Sequence, residues 1–416
     1  MKALESRRGL PRIIYIGDDE PDLKSKKIRS FESNDLDVMH LKDDSDINKC
    51  IISFNPDCIV TTVNSPECYL NLMSLPIEIR RRWVNLPDSK KEEIGEIAYN
   101  CAMNYILSFQ THDLISFFTP IYNTGEKLLR TYESVKNQTY INWEWVIVND
   151  SNDNGKTLKI AEEIAANDAR VKVYDFKEKS GGLIGEVKYR AACMCNGDYL
   201  AELDHDDYLI PDCAFNMVEA FRKYPEVGFV YSDCAEIDEN WNSLTYSGEF
   251  VFGYGKYENQ LVMGKSMQVF ISANINPKTI RHIVGVPNHI RVWRKSVYHQ
   301  IGGHRRRLSI ADDYELIVRT FLATKLLRVP KIGYLQFIYS NENAANTHDT
   351  AREDIQRRVR TIAAFYNQKI KERFEELGVK DWAYEENPAN PLLTKSRFGI
   401  EEGAVNLIDG LRTEMS

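Results

Sequence analysis

Leu203-Asp204-His205-Asp206-Asp207-Tyr208 decides the reading of this chain. It follows Tyr199-Leu200-Ala201-Glu202, which reads as a short strand, and Pro211 opens the next helical pattern. Three carboxylates therefore stand in four positions at a strand end. Unpaired, they repel one another and destabilise the fold. A divalent cation carrying phosphate oxygens offsets that cost, because hard cations take oxygen ligands. Strand-end loops of open α/β sheets are also where ligands bind. The alternative is a solvated acidic loop, which must then account for the apolar strand before the cluster and for Tyr208 after it.

Outward from this run, strands and helices alternate. Upstream, Ile115-Ser116-Phe117-Phe118-Thr119 is a strand stopped by Pro120. A helix follows with Leu128, Leu129, Tyr132 and Val135 at helical spacing. Trp143 to Val148 is the next strand, ended by the polar turn Asn149-Asp150-Ser151-Asn152-Asp153-Asn154-Gly155. Gly181-Gly182 marks a loop before a helix that Gly197 caps. Downstream, Pro211 to Lys223 reads as helix and Val227 to Tyr231 as strand, and the pattern then loosens until Ile290. Asp312 opens another helix, and Tyr334 to Tyr339 is strand-like. Such alternation predicts an α/β fold with a mostly parallel sheet.

The expected division is a small α/β unit over residues 1–110, a larger one over 111–349, and a helical extension and tail over 350–416. In the first unit, Asp18-Asp19 after the strand Ile13–Ile16 resembles the acidic pair of a flavodoxin-like receiver domain. The third strand there ends in Thr61-Thr62-Val63 instead of a phospho-acceptor Asp, so the resemblance extends to the fold alone. Pro76 to Asn85 and Lys90 to Leu107 read as helices bridging the units, with Arg80-Arg81-Arg82 as a solvated face.

Composition narrows the classes. The chain is 43% hydrophobic and 27% charged with a formal net charge of -8, which argues against a general nucleic-acid-binding surface. No apolar run approaches the ~20 residues that span a bilayer. Met1 to Arg8 carries no apolar core like that of a signal peptide, so a cytoplasmic protein is expected, with peripheral membrane contact left open. The 8 cysteines form no Cys-x-x-Cys pair, which speaks for free thiols.

Four pieces recur in a fixed order: Thr119-Pro120-Ile121-Tyr122-Asn123, Val148-Asn149-Asp150, Asp204-His205-Asp206-Asp207, and Ala311-Asp312-Asp313-Tyr314-Glu315-Leu316. Together with Gln138-Thr139-Tyr140, Trp143-Glu144 and Gly197-Asp198-Tyr199, they resemble the family 2 glycosyltransferases, over about residues 114–345. The resemblance implies a GT-A fold and an inverting hexosyltransferase that takes its sugar from a nucleotide-sugar, with a UDP-sugar favoured. It implies that Asp150 accepts from the base, that Pro120, Tyr122 and Asn123 wall the base and ribose, and that Asp204 lies by the ribose. Asp206 would bind Mn²⁺ or Mg²⁺, with His348 completing the site, and Asp313 would be the general base. The family's usual Arg is replaced by Lys188, which keeps the charge for a diphosphate contact but loses the bidentate fork; Arg190 is a nearby substitute. Asp312 stands where Glu is usual, and His289 and Trp293 fall in the acceptor region. His205 is expected to point away from the ligands, and Asp207 to be held by backbone N–H groups. The Arg305-Arg306-Arg307 loop is either an anion contact or solvated. The acceptor hydroxyl is left open among saccharide, glycolipid intermediate, protein and modified nucleobase. Two rivals remain: a sugar-nucleotide pyrophosphorylase-like nucleotidyltransferase, against which the Thr-Pro-Ile-Tyr-Asn strand end speaks, and an inactive nucleotide- or sugar-binding scaffold.

Overall fold

The computed structural model describes residues 11–17, 37–42, 46–63, 65–86, 91–107, 113–245, 255–339 and 352–381. Asp18, Asp19 and His348 lie outside these residues. The first part comprises β1 (Arg12–Ile16), β2 (Asp37–Leu41), α1 (Ile47–Phe54), β3 (Cys58–Thr61), α2 (Pro66–Met73), α3 (Ile77–Arg80), β4 (Trp83–Asn85) and α4 (Lys91–Leu107). Its four strands form a parallel sheet in the order β2-β1-β3-β4. The expected helix from Pro76 to Asn85 is instead a single turn followed by β4. Trp83 and Val84 pair with Ile59 and Val60, and the Trp83 indole donates to Thr61 Oγ1 at 2.8 Å. The arginine run is not solvated throughout either: Arg81 is exposed and Arg82 is not. Arg82 is 3% exposed, donates to Asn55 Oδ1 at 2.9 Å, and lies over the Tyr105 ring.

The second part begins with β5 (Ile115–Ile121), α5 (Lys127–Lys136), β6 (Trp143–Asn149), α6 (Lys156–Asn167), β7 (Val171–Asp175), α7 (Ile184–Cys193) and β8 (Tyr199–Glu202). It continues with β9 (Tyr208–Leu209), α8 (Cys213–Lys223), β10 (Val227–Ile237), β11 (Ser243–Leu244), β12 (Gly255–Val262), β13 (Lys265–Ser272), β14 (Arg291–Arg294), α9 (Lys295–Gln300), α10 (Asp312–Ala323) and β15 (Lys325–Phe337). The 25-residue α11 (Arg352–Glu376) closes the described chain.

The main path of the large sheet runs β12-β13-β10-β14-β8-β5-β6-β7. β5, β6, β7 and β8 are mutually parallel, and β14 enters antiparallel between β8 and β10. The chain moves outward from β5 to β7 and then returns to place β8 on the other side of β5. That reversal is a topological switch point, and in open α/β sheets the ligand crevice forms at the carboxyl ends of the strands at such a point. β5 and β6 are buried along their whole length, as strands covered on both faces should be. Alternate residues serve opposite faces: Phe117, Trp145 and Ala201 join one apolar cluster, Phe118, Val146 and Leu200 the other.

Two local readings change. Gly197 does not cap α7 in a left-handed turn; Met194 is the cap residue. A Cβ at Gly197 would lie 2.5 Å from Ser116 Oγ and 2.6 Å from Leu114 O, so close approach to β5 requires the glycine. The loosened stretch after β10 contains the β12–β13 hairpin. β12 is a polar edge strand whose Gly-Lys-Tyr-Glu-Asn-Gln start offers no apolar alternation.

Candidate active site

The carboxyl ends of β5, β6 and β8 and the N-terminus of α10 converge on the switch-point crevice. At its outer end, Asp150 is held ready by Ser180. Ser180 N donates to Asp150 Oδ1 at 2.8 Å, and the Ser180 hydroxyl donates to Oδ2. Asn123 takes a left-handed backbone with φ 51° and clamps the two loops together. Its Nδ2 donates to Asn152 Oδ1 at 2.8 Å, and Asn152 N donates back to Asn123 Oδ1 at 3.0 Å. Tyr122 is 53% exposed and can face a ligand. Pro120 is buried within β5 opposite Val148, so it backs this wall and offers no open surface.

The acidic loop after β8 is fixed by its carbonyls. Thr131 Oγ1 donates to His205 O at 3.0 Å and Asp207 O at 2.8 Å, and Arg130 and Tyr339 both donate to Asp206 O. With the backbone tied to α5, the carboxylates of Asp204 and Asp206 stay partly open, at 32% and 23% side-chain exposure. Asp207 turns inward. Its two oxygens accept from Tyr334 OH at 2.7 Å and Phe337 N at 2.8 Å. Burial, then Asp206 and Asp204, raise its pKa well above the ordinary carboxylate range. Its anchors are thus a tyrosine and a β15 amide, where helix-start amides were expected. His205 also departs from expectation: its Nδ1 lies 3.6 Å from Asp206 Oδ1.

Behind the crevice lies a buried charge centre. Glu202, fully buried at the end of β8, lies 2.7 Å from Lys188 Nζ and 3.5 Å from Arg291 Nη1. Lys188 is also 3.2 Å from Asp312, and Arg291 Nη2 is 3.0 Å from Asp313. Burial alone would lower the Lys188 pKa, yet Asp312 and Glu202 outweigh it and raise it well above its usual value. Burial pushes Asp312 up to about 6 against the pull of Lys188. For Asp313 burial acts upward too, but Arg291 and Lys188 hold it at about 2. His304 is driven down to about 3, chiefly by burial.

Three sequence expectations meet this centre differently. Lys188 is spent on Glu202 and Asp312 and does not reach into the crevice as a diphosphate contact. Trp293 is fully buried, with its indole donating to Thr320 Oγ1 at 2.9 Å, so it has no face for an acceptor ring. His289 is 7% exposed, stacks on Tyr334, and sits 3.6 Å from Asp204 and 3.8 Å from Glu202. Arg306 is fastened to Glu186 by Nη2 at 2.9 Å. Sequence reasoning missed Glu202, Arg291, His304 and Ser180. The first two carried a signal: a charged residue inside a short strand that is otherwise buried needs a partner.

Two carboxylates and an imidazole make a set that would hold a divalent ion. Glu202, Asp204 and His289 offer ligand atoms within 4.8 Å of one another, and both ring nitrogens of His289 are buried without a hydrogen-bond partner. Lys188 already lies against one Glu202 oxygen, so the open members are His289 and Asp204, the latter two positions from Asp206 along the loop.

Residues 116–300 match the family described as Glycosyl transferase family 2. The chondroitin synthase of Escherichia coli is 24% identical over 271 residues, which cover 65% of this chain and 34% of that one. The hyaluronan synthase of Pasteurella multocida is 25% identical over 232 residues, 56% of this chain and 21% of that one. This chain therefore spans about a third or less of the length of these relatives. A crystal structure of S. aureus TarS in complex with UDP-GlcNAc aligns with a TM-score of 0.46 and 18% identity, over 73% of this chain and 82% of that one. No helix among the described residues is long and apolar enough to cross a membrane.

Proposed function

This chain belongs to glycosyltransferase family 2 through residues 116–300 and has the GT-A fold, and from that premise we propose that it moves a sugar with inversion from a UDP-sugar to an acceptor hydroxyl. The observation that carries the reading is a continuous chain of contacts between the donor and acceptor sides. Asp204 lies 3.6 Å from His289, His289 3.8 Å from Glu202, Glu202 3.5 Å from Arg291, and Arg291 3.0 Å from Asp313.

Asp150, pre-oriented by Ser180, takes the base N–H with its remaining lone pairs. Tyr122 and Asn123 line that end, and Asp204 meets the ribose. Asp206, with Asp204 two positions away on the same loop and His348 as a further ligand, would hold Mn²⁺ or Mg²⁺, which would supply charge neutralisation to the diphosphate. Asp313 accepts the acceptor hydroxyl proton as its oxygen bonds to the anomeric carbon. The bond from that carbon to the diphosphate oxygen breaks, and its electron pair leaves on the nucleoside diphosphate. Residues 1–110 would serve as an accessory unit and 350–416 as an extension.

The test is donor turnover. The full chain is incubated with Mn²⁺ or Mg²⁺ and a panel of nucleotide sugars, and released nucleotide is measured. Slow hydrolysis of one UDP-sugar is expected, lost on chelation and in Asp206→Asn. Turnover indifferent to chelation would remove the metal from the mechanism. Donor binding with no release under any condition would favour an inactive scaffold.

A further inference from the structure

Arg291 joins the two halves of the buried centre. Its Nη2 is 3.0 Å from Asp313 Oδ2, its Nη1 3.5 Å from Glu202 Oε2, and its Nε donates to Pro287 O at 3.0 Å. The residue is 5% exposed, and β14 pairing sets it directly opposite Glu202 on β8 and Tyr231 on β10. Asp313 Oδ1 accepts from Tyr314 N at 2.7 Å. Each carboxylate oxygen has two lone pairs. One bond therefore anchors each oxygen and leaves each free to meet an incoming hydroxyl, on a side chain still 25% exposed.

We infer that Arg291 is the residue that orients Asp313 for proton abstraction, with Glu202 and Pro287 fixing the guanidinium from behind. The inference rests on the reading of Asp313 as general base. A planar fork can point Nη2 at Asp313 while Nε stays on Pro287 O and Nη1 lies beside the Glu202 charge; an ammonium is a point charge and cannot. The charged and titratable groups that face Asp313 are Arg291 from β14, Lys188 from α7, Glu202 from β8, Asp312 beside it on α10, and His304 from the preceding loop. Burial pushes Asp313 upward, and Arg291 is the largest influence against it. Arg291 thus keeps the carboxylate ionised at every working pH while making it a weaker base, so what it contributes is direction. Removing it has two separable effects: the pKa rises because burial is then less opposed, and the carboxylate loses its fixed orientation.

The experiment is the pH dependence of kcat/KM for Arg291→Gln and Arg291→Lys, with donor KM measured at each pH. For Arg291→Gln, an acid limb is expected to enter the window between about pH 4 and 6, where the parent shows none from Asp313. Its plateau should fall roughly 10- to 100-fold, with donor KM within about twofold, because only an acceptor-side step is disturbed. Arg291→Lys should keep the limb out of that window and still lose about tenfold on the plateau, since charge is retained and the fork is lost. If Arg291→Gln does not fold, Arg291→Lys carries the test alone. An unchanged plateau in either variant overturns the inference, and so does a loss expressed as raised donor KM. Asp313→Asn is run beside them: full transfer by that variant would sink the base reading itself, whereas its inactivity with an unaltered Arg291→Lys would sink only the orienting role.

Discussion

Asp207 lies next to Asp206 in sequence, but its carboxylate is turned into the protein toward Tyr334 and Phe337, while Asp206 stays partly open. The two should separate cleanly by mutation. Asp207→Asn places an amide NH₂ against one of two donors, which costs about 1–3 kcal/mol of stability. It should leave metal-stimulated donor turnover in place, in contrast to Asp206→Asn. Urea denaturation and turnover with and without Mn²⁺ read the two effects, and loss of metal stimulation in Asp207→Asn would put that residue among the ligands. The run of acids was legible in the sequence as a carboxylate cluster at a strand end. Which acid turns inward was not, because that depends on Tyr334, 127 positions away. For Lys188 and Trp293, too, the residue type was visible and its partners were not: Glu202, Asp312 and Thr320 reach them only through the folded sheet and helices.

At the scale of elements, α10 is the one whose placement matters most, since Asp312 and Asp313 sit in its first turn. It is braced by α11. Tyr366 OH donates to Glu315 Oε1 at 2.6 Å, and Ile362, Tyr366, Ile370 and Phe374 share an apolar cluster with Tyr314, Ile317 and Phe321. Just past α11, Asp381 grips Arg281 with contacts of 2.6 and 3.1 Å, both residues almost fully buried. Asp381→Ala would leave Arg281 a buried charge without its carboxylate, and should cost about 3–5 kcal/mol in chemical denaturation. A change below about 1 kcal/mol would show that the extension is not fastened there. That the chain ends in a helical extension was readable from the sequence; the docking face of α11 was not. The β12–β13 hairpin shows the converse limit, because an edge strand with polar residues on both faces gives no period to read.

Across the whole molecule, the two sheets meet through a few buried polar groups. Asn55 ends α1 with φ 45°, its Nδ2 donating to Gln138 O at 2.9 Å and its Oδ1 accepting from Arg82. Tyr105 OH donates to Thr139 O at 2.7 Å, and Arg81 lies over the Phe215 ring. Asn55→Ala loses these bonds and puts an alanine in left-handed backbone, so a loss on the order of 2–4 kcal/mol is expected in thermal denaturation. Asn55→Gly should recover the backbone part, and equal losses in both would show that conformation contributes nothing. The alternation of apolar strands and helices, and the order of the strand-end motifs, were set by the sequence alone, because periodicity and turn chemistry are local properties. Tertiary structure alone decided that His289, Glu202 and Arg291 join Asp204 to Asp313 in one charge centre, and that Asp312 and Asp313 differ so widely in acidity. Both facts depend on charges brought within 4 Å from β8, β14, α7 and α10, and Coulomb energy at that range is a property of the fold.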